Sequence, residues 1–234
     1  MVKNSRVWAQ KGGGQLEYRI EGNPEYGHLS VRLGPGERFI AEGGSMAWMS
    51  EGVQVKARLL GGFLRAFFRK LVGGESLFVG EYSHPTGGEV AFSPAIPGNV
   101  GHRTLAGDSL VLTGGSFMAA TPDVQLKMRF GGFKSMFSGE GMFLIECSGT
   151  GDLFFNTFGA LIEREVADGF TVDTGHVVAW EPTVDYSIRG MGSLKSTLLS
   201  GEGLAMQFSG RGKVYLQTRT MNSVANWLIP FLPA

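Results

Sequence analysis

The feature that most constrains this chain is a motif that occurs three times. The middle copy runs from Val124 to Gly141 and reads VQLKMRFGGFKSMFSGEG. Upstream, Val53–Ser76 reads VQVKARLLGGFLRAFFRKLVGGES; downstream, Val184–Gly203 reads VDYSIRGMGSLKSTLLSGEG. Arg58, Arg129 and Arg189 close the first alternating run of each copy, 71 and 60 residues apart. Gly43, Gly114 and Gly175 keep nearly the same register, 71 and 61 residues apart. Glu75, Glu140 and Glu202 sit in the glycine turn that opens the next run, 65 and 62 residues apart. The first copy is therefore the longer one, and its extension lies between its Gly-Gly pair and Glu75. Paired landmarks at a near-constant period mark tandem units that stack and share a core.

That repeat divides the 234 residues into a loose basic lead-in (1–14), three units (15–95, 96–160, 161–222) and an apolar tail (223–234). Within the units the apolar residues alternate in short runs such as RFIAE, VQLKMRF, MFLIECS and KVYLQT, bounded by Gly, Pro, Asp or Asn. Period two with turn residues between runs is the pattern of half-buried strands. Regular short strands favour sandwiches or barrels over βαβ units. The expected fold is all-β, built from three tandem sandwich- or barrel-like repeats packed into one unit. The 37 glycines fall between apolar runs, where they punctuate turns. Pro85–Gly88, Gly149–Asp152 and Gly210–Lys213 read as hairpin turns that need positive φ. Helix is expected only in FLRAFFRKLV and in the tail SVANWLIPFLPA, where Pro230 and Pro233 stop it.

Chemistry is sparse. The four histidines are dispersed and Cys147 is the single cysteine, so no thiolate zinc cluster and no intramolecular disulfide can be built. In the run MFLIECS, Cys147 reads as a buried strand residue in a reducing compartment. No GxSxG, P-loop or strand-placed GxGxxG occurs. No cofactor or metal is expected, and no catalytic residue. The balanced charge of 21 basic and 21 acidic side chains supplies no field for nucleic acid. The recurrent arginines and glutamates read as structural landmarks, each Arg forking onto the Glu of its own repeat.

The first loop stands apart. At helical spacing Phe63, Leu64, Phe67, Phe68 and Leu71 form one stripe, flanked by Arg65, Arg69 and Lys70 with no acid between. Aromatics beside cations suit a membrane interface or a partner surface; FKSMF and LKSTLL are diluted versions in the other copies. With no apolar run of spanning length, the chain is expected in the cytoplasm, peripheral to the membrane at most.

The GGSMAWM, GGES and GEG turns, the three Gly-rich β repeats and the NWLIPFLP ending resemble the family of bacterial and archaeal proteins related to the mitochondrial biogenesis (altered inheritance of mitochondria) protein of fungi. The resemblance covers about Leu16 to Pro233. It implies β-sandwich modules similar to the subunit of the tryptophan RNA-binding attenuation protein, ring-like homo-oligomers such as trimers, and no established enzymatic activity. No tryptophan or RNA site carries over, because Lys56 and Lys127 are matched by Ser187 and form no ladder. Two functions follow as expectations. One is a non-enzymatic scaffold or adaptor that meets a membrane or protein through residues 63–71. The other is a small-ligand protein or enzyme using an inter-repeat cleft near Arg129, Glu140 and His176.

Overall fold

Alternating runs of this kind leave one polar and one apolar face per strand, and antiparallel pairing satisfies the backbone while burying the apolar one. A computed structural model of the chain describes residues 8, 16–59, 78–130, 143–190 and 204–232. Repeat 1 contains β1 (Glu17–Glu21), β2 (His28–Leu33), β3 (Arg38–Glu42), β4 (Met46–Met49), β5 (Gln54–Leu59), β6 (Phe78–Ser83) and β7 (Gly88–Phe92). Repeat 2 contains β8 (Val100–Thr113), β9 (Phe117–Ala120), β10 (Val124–Phe130) and β11 (Phe143–Asn156). Repeat 3 contains β12 (Leu161–Val166), β13 (Phe170–Asp173), β14 (Val177–Trp180), β15 (Val184–Gly190), β16 (Leu204–Gly210) and β17 (Gly212–Gln217). A helix α1 (Met221–Leu228) and a 3-10 turn at Ile229–Phe231 follow.

The same two small sheets recur in each repeat. In repeat 1 they are β2-β7-β4 and β3-β6-β5; in repeat 3, β12-β17-β14 and β13-β16-β15. In repeat 2 the first half of β8 pairs with the second half of β11, which pairs with β9, while the remaining halves pair with each other and with β10. The sheets are antiparallel and open, so the modules are sandwiches, and no closed barrel forms among the described residues. All-β is the architecture.

The glycine turns expected as hairpins are corners instead. β6 and β7 lie in different sheets, as do β16 and β17, and β11 runs unbroken through a bulge between Ser148 and Thr150. Gly87, Gly149 and Gly210 adopt φ of 101°, 114° and 89°, which lets one strand leave its first sheet and enter the second. A corner and a hairpin ask the same local geometry, and only the pairing partner separates them. The antiparallel pairs of consecutive strands that recur in each repeat are β5–β6, β10–β11 and β15–β16. The structure also moves one landmark. The turn hydrogen bonds Gly43 N–H to Phe78 O and Gly114 N–H to Phe143 O align those two glycines, whereas repeat 3 has a 3-10 turn at Thr174–His176 closed by the Asp173 carboxylate on Gly175 N–H.

Repeats join head to tail. β3 of repeat 1 pairs with β9 of repeat 2 through Ile40–Ala120 and Ala41–Ala119. β8 of repeat 2 pairs with β14 of repeat 3 through Val111–Trp180 and Leu112–Ala179. Each joint strand feeds two cores: Met118 and Ala119 belong to that of repeat 1, Phe117 and Ala120 to that of repeat 2. Val111 and Leu144 of repeat 2 complete the core of repeat 3 around Trp180 and Phe208. The linkers between repeats lie side by side. Asn23 exchanges two hydrogen bonds with the backbone of Val100, Gly98 bridges Gly159, and Arg219 N–H reaches Phe158 O. A Cβ on Gly98 would strike the Thr157 carbonyl, so this close approach requires glycine.

Candidate functional site

One hydrogen bond shows how the repeats hold their geometry with different residues. The position after β4, β9 and β14 is Ser50, Thr121 and Glu181. Each side chain accepts from a backbone N–H, of Glu89, Asp152 and Lys213, all at 3.0 Å. In repeat 3 the longer glutamate has a second oxygen free to work across the joint. Arg103 of β8 donates to Glu181 at 2.8 Å, to Asp108 at 2.8 Å and to the Tyr215 hydroxyl at 3.3 Å. Burial pushes the Glu181 carboxyl up, but the Arg103 and Lys213 donors outweigh it and hold it below its usual value. The Ala106 N–H, then Arg103, hold Asp108 low as well, and the Glu181 partner raises Arg103 against its own burial. This cluster ties repeat 2 to repeat 3.

The landmark arginines lie on the loop-bearing hairpins. Arg58 pairs with Glu81 at 2.9 Å, and Arg129 pairs with Glu146. Both acids lie on the strand that returns from the loop, directly opposite Lys56 and Lys127. The partners expected from sequence, Glu75 for Arg58, Glu140 for Arg129 and Glu202 for Arg189, lie outside the described residues. In repeat 3 the same two positions are Ser187 and Gln207, and Arg189 has no carboxylate partner among the described residues. Among the described residues the arginine–glutamate pair thus occurs on two of the three hairpins. Phe63, Leu64, Arg65, Phe67, Phe68, Arg69, Lys70 and Leu71 also lie outside the described residues; β5 and β6, which flank them, match β10–β11 and β15–β16.

The strand edges form a second feature. Strands β9 and β14 are buried throughout; β4, at the same place in repeat 1, exposes Met46, Trp48 and Met49. Among the described residues β4 pairs only with β7, and β13 only with β16. The side chains at these two open edges differ in size from their counterparts in the other repeats. Trp48 stands where repeats 2 and 3 have Ala119 and Ala179, while Thr171 and Ala205 stand where repeats 1 and 2 have Ile40 or Val111 and Val79 or Leu144. Sequence reasoning missed this pair. The signal was there: MAWM, FMAA and VVAW align, and only the first carries a tryptophan where the others keep alanine.

The histidines are engaged locally. His102 holds the Asp152 carboxylate at 2.8 Å and the Tyr18 hydroxyl at 3.1 Å, latching β1 onto repeat 2. With Asp152 accepting from Nε2, the Tyr18 hydroxyl donates to Nδ1. His28 lies between the Ser93 and Ser30 hydroxyls, and burial lowers its pKa. His176 meets the Gln217 carbonyl and Arg129 meets Glu146, so these two members of the expected inter-repeat cleft have separate partners; Glu140 lies outside the described residues. Cys147 is fully buried on β11, and burial with the neighbouring Glu146 pushes its thiol up to about 12, which leaves it unreactive. Among the described residues no three His, Cys, Asp or Glu side chains cluster to hold a metal, and no helix is long and apolar enough to cross a membrane.

The chain is similar to an uncharacterized protein of Streptococcus pyogenes serotype M6, 29% identical over 229 residues, which covers 94% of this chain and 92% of the relative. A crystal structure of a Streptococcus pyogenes protein superposes with a TM-score of 0.79 at 28% identity, covering 93% of this chain and all of that one. Residues 18–219 match the family described as mitochondrial biogenesis AIM24. That span takes in all three repeats, and the chain belongs to the mitochondrial biogenesis AIM24 family.

Proposed function

We propose that this protein acts by assembly rather than catalysis: a head-to-tail homo-oligomer, a trimer in the simplest closed form, serving as a scaffold or adaptor in the cytoplasm. The observation that carries the reading is the pair of open edges. Two internal joints already show how an edge like β13 receives a strand like β4, and the exposed apolar side chains of β4 lie where the other repeats are buried. An interface that joins two different surfaces closes into a ring or continues as a filament. By the register of the internal joints, Val172 of one copy faces Trp48 of the next and Thr171 faces Met49. In such an assembly the Phe/Arg-rich segment 63–71 recurs once per copy. Repetition turns a weak contact with an anionic membrane surface or a protein into a firm one.

The test is light scattering on size-exclusion fractions, with and without anionic liposomes. The expected mass is three times the 25.1 kDa of one chain. Trp48→Glu is expected to give a folded monomer, because a charge in a paired, desolvated edge costs several kcal/mol. Replacing Arg65, Arg69 and Lys70 by glutamate is expected to leave the mass unchanged and abolish liposome binding. A wild-type monomer removes the assembly; liposome binding that survives the triple replacement removes the loop from the contact.

A further inference from the structure

We infer that the C-terminal segment, residues 220–232, is a strap that crosses the joint between copies and seats its apolar side chains on the N-terminal loop of the next copy, beside Tyr26. This rests on the head-to-tail assembly proposed above.

The linker stack sets the position. Residues 22–27 lie on 98–100, residues 97–99 on 157–161, and residues 158–160 on 217–219. Each layer marks the seam where one repeat ends and the next begins. The third seam ends with Thr218 and Arg219, and there the chain leaves the β-repeat pattern. It forms α1 instead, with the Thr220 hydroxyl accepting from Ser223 N–H as N-cap. A following copy in the head-to-tail series brings its own 22–27 loop to this seam, so α1 emerges against that loop.

Surface chemistry points the same way. No residue of the helix or its 3-10 turn is buried, and Val224 alone among them is half-buried. Trp227, Ile229 and Phe231 are 68%, 60% and 71% exposed. In repeat 1, which also carries the apolar edge β4, Tyr26 is 75% exposed. The large exposed apolar side chains thus concentrate at the two ends that a head-to-tail joint brings together. Patches of this kind are covered by protein or lipid. The composition separates those two. No charged residue occurs from Thr220 to Ala234, and the polar positions of α1 are Asn222, Ser223 and Asn226. A helix held in a membrane interface carries lysine or arginine on its polar face. A short, uncharged helix fits a protein seat, and the copy that the seam already demands supplies one.

The experiment is sedimentation equilibrium on the full chain, on a chain ending at Thr220, and on a Trp227→Ser/Phe231→Ser double variant, with circular dichroism and thermal melting of each. Both variants are expected to keep the β-sheet spectrum and to self-associate at least tenfold more weakly than the full chain. Full chains that stay monomeric overturn the assembly and the strap with it. Full chains that assemble, with both variants equally tight, overturn the strap alone and leave the β4–β13 joint standing. Variants that assemble as the full chain does but no longer bind phosphatidylcholine–phosphatidylserine vesicles assign the tail to lipid, and this too overturns the strap.

Discussion

Strands β4 and β14 occupy the same place in repeats 1 and 3, and their surroundings are opposite. β14 is buried along its length, with Val177, Ala179 and Trp180 sealed between repeat 2 and its own repeat. β4 pairs on one side only and shows Met46, Trp48 and Met49 to solvent. What separates them is the neighbouring repeat: repeat 2 covers β14, and among the described residues no repeat covers the outer edge of β4. Burial in a repeat protein is therefore set by position in the array as much as by residue type. An edge strand that keeps large apolar side chains, where a capping repeat needs a polar face, is what motivates the assembly proposed above.

The comparison is broken most forcefully by giving β14 the residue of β4. Ala179→Trp forces an indole into a joint that is fully closed, and a loss of about 3 kcal/mol or more is expected from overpacking. Urea denaturation measures it; a loss below about 1 kcal/mol would show that the joint can open and that β14 differs little from β4.

A second perturbation acts on the charged tie beside β14. Arg103→Ala leaves Glu181 and Asp108 without their guanidinium partner, and a loss of about 2 kcal/mol is expected at neutral pH. The sign with pH follows from the lowered carboxyl pKa values. Groups that ionise more readily when folded contribute above their unfolded values, near ~4, and lose that contribution as pH falls through the lower folded values. Wild-type stability should therefore fall in this acid range, with a shallower fall in the variant. Parallel curves from pH 7 to pH 3 would assign the acid sensitivity to other carboxylates.

The smallest effect sharpens the contrast between the paired hairpins and the unpaired one. Ser187→Lys with Gln207→Glu copies into repeat 3 the cross-strand pair Lys127–Glu146 of repeat 2, and gives Arg189 the carboxylate that Arg129 has. A gain of about 0.5 kcal/mol is expected for an exposed cross-strand pair, read as a rise in denaturation midpoint that high salt removes. No gain, or one insensitive to salt, would mean that the two hairpins differ in more than charge.

How much of this was legible beforehand differs between the fold and the candidate sites. The threefold period was explicit in the spacing of Arg58, Arg129 and Arg189, and the alternation of runs such as VQLKMRF led directly to strands. Both signals are local. A residue two positions away in a strand lies on the same face whatever else the chain does. The burial of Cys147 followed from the same reasoning. The liability of the tail was also visible, since TMNSVANWLIPFLPA has no charge to hold it in water.

The pairing partners were not legible, because pairing joins residues that sequence keeps far apart. Gly149 and Gly210 announce positive φ, but a chain with that geometry can return along its own strand or step into another sheet. The structure chose the second, since only corners let each strand serve both layers of a sandwich. Arg58 and Arg129 announced a carboxylate partner, and the one that came into reach was Glu81 or Glu146, fixed by hairpin register. Trp48 differed from Ala119 and Ala179 on the page, but its meaning appeared only once the joints showed that the alanine positions are covered. Sequence determined the repeat, the strands and the absence of recognisable catalytic motifs, all through local geometry and hydrophobic period. Tertiary structure decided which edges are closed and which remain open, because that depends on what each repeat has beside it.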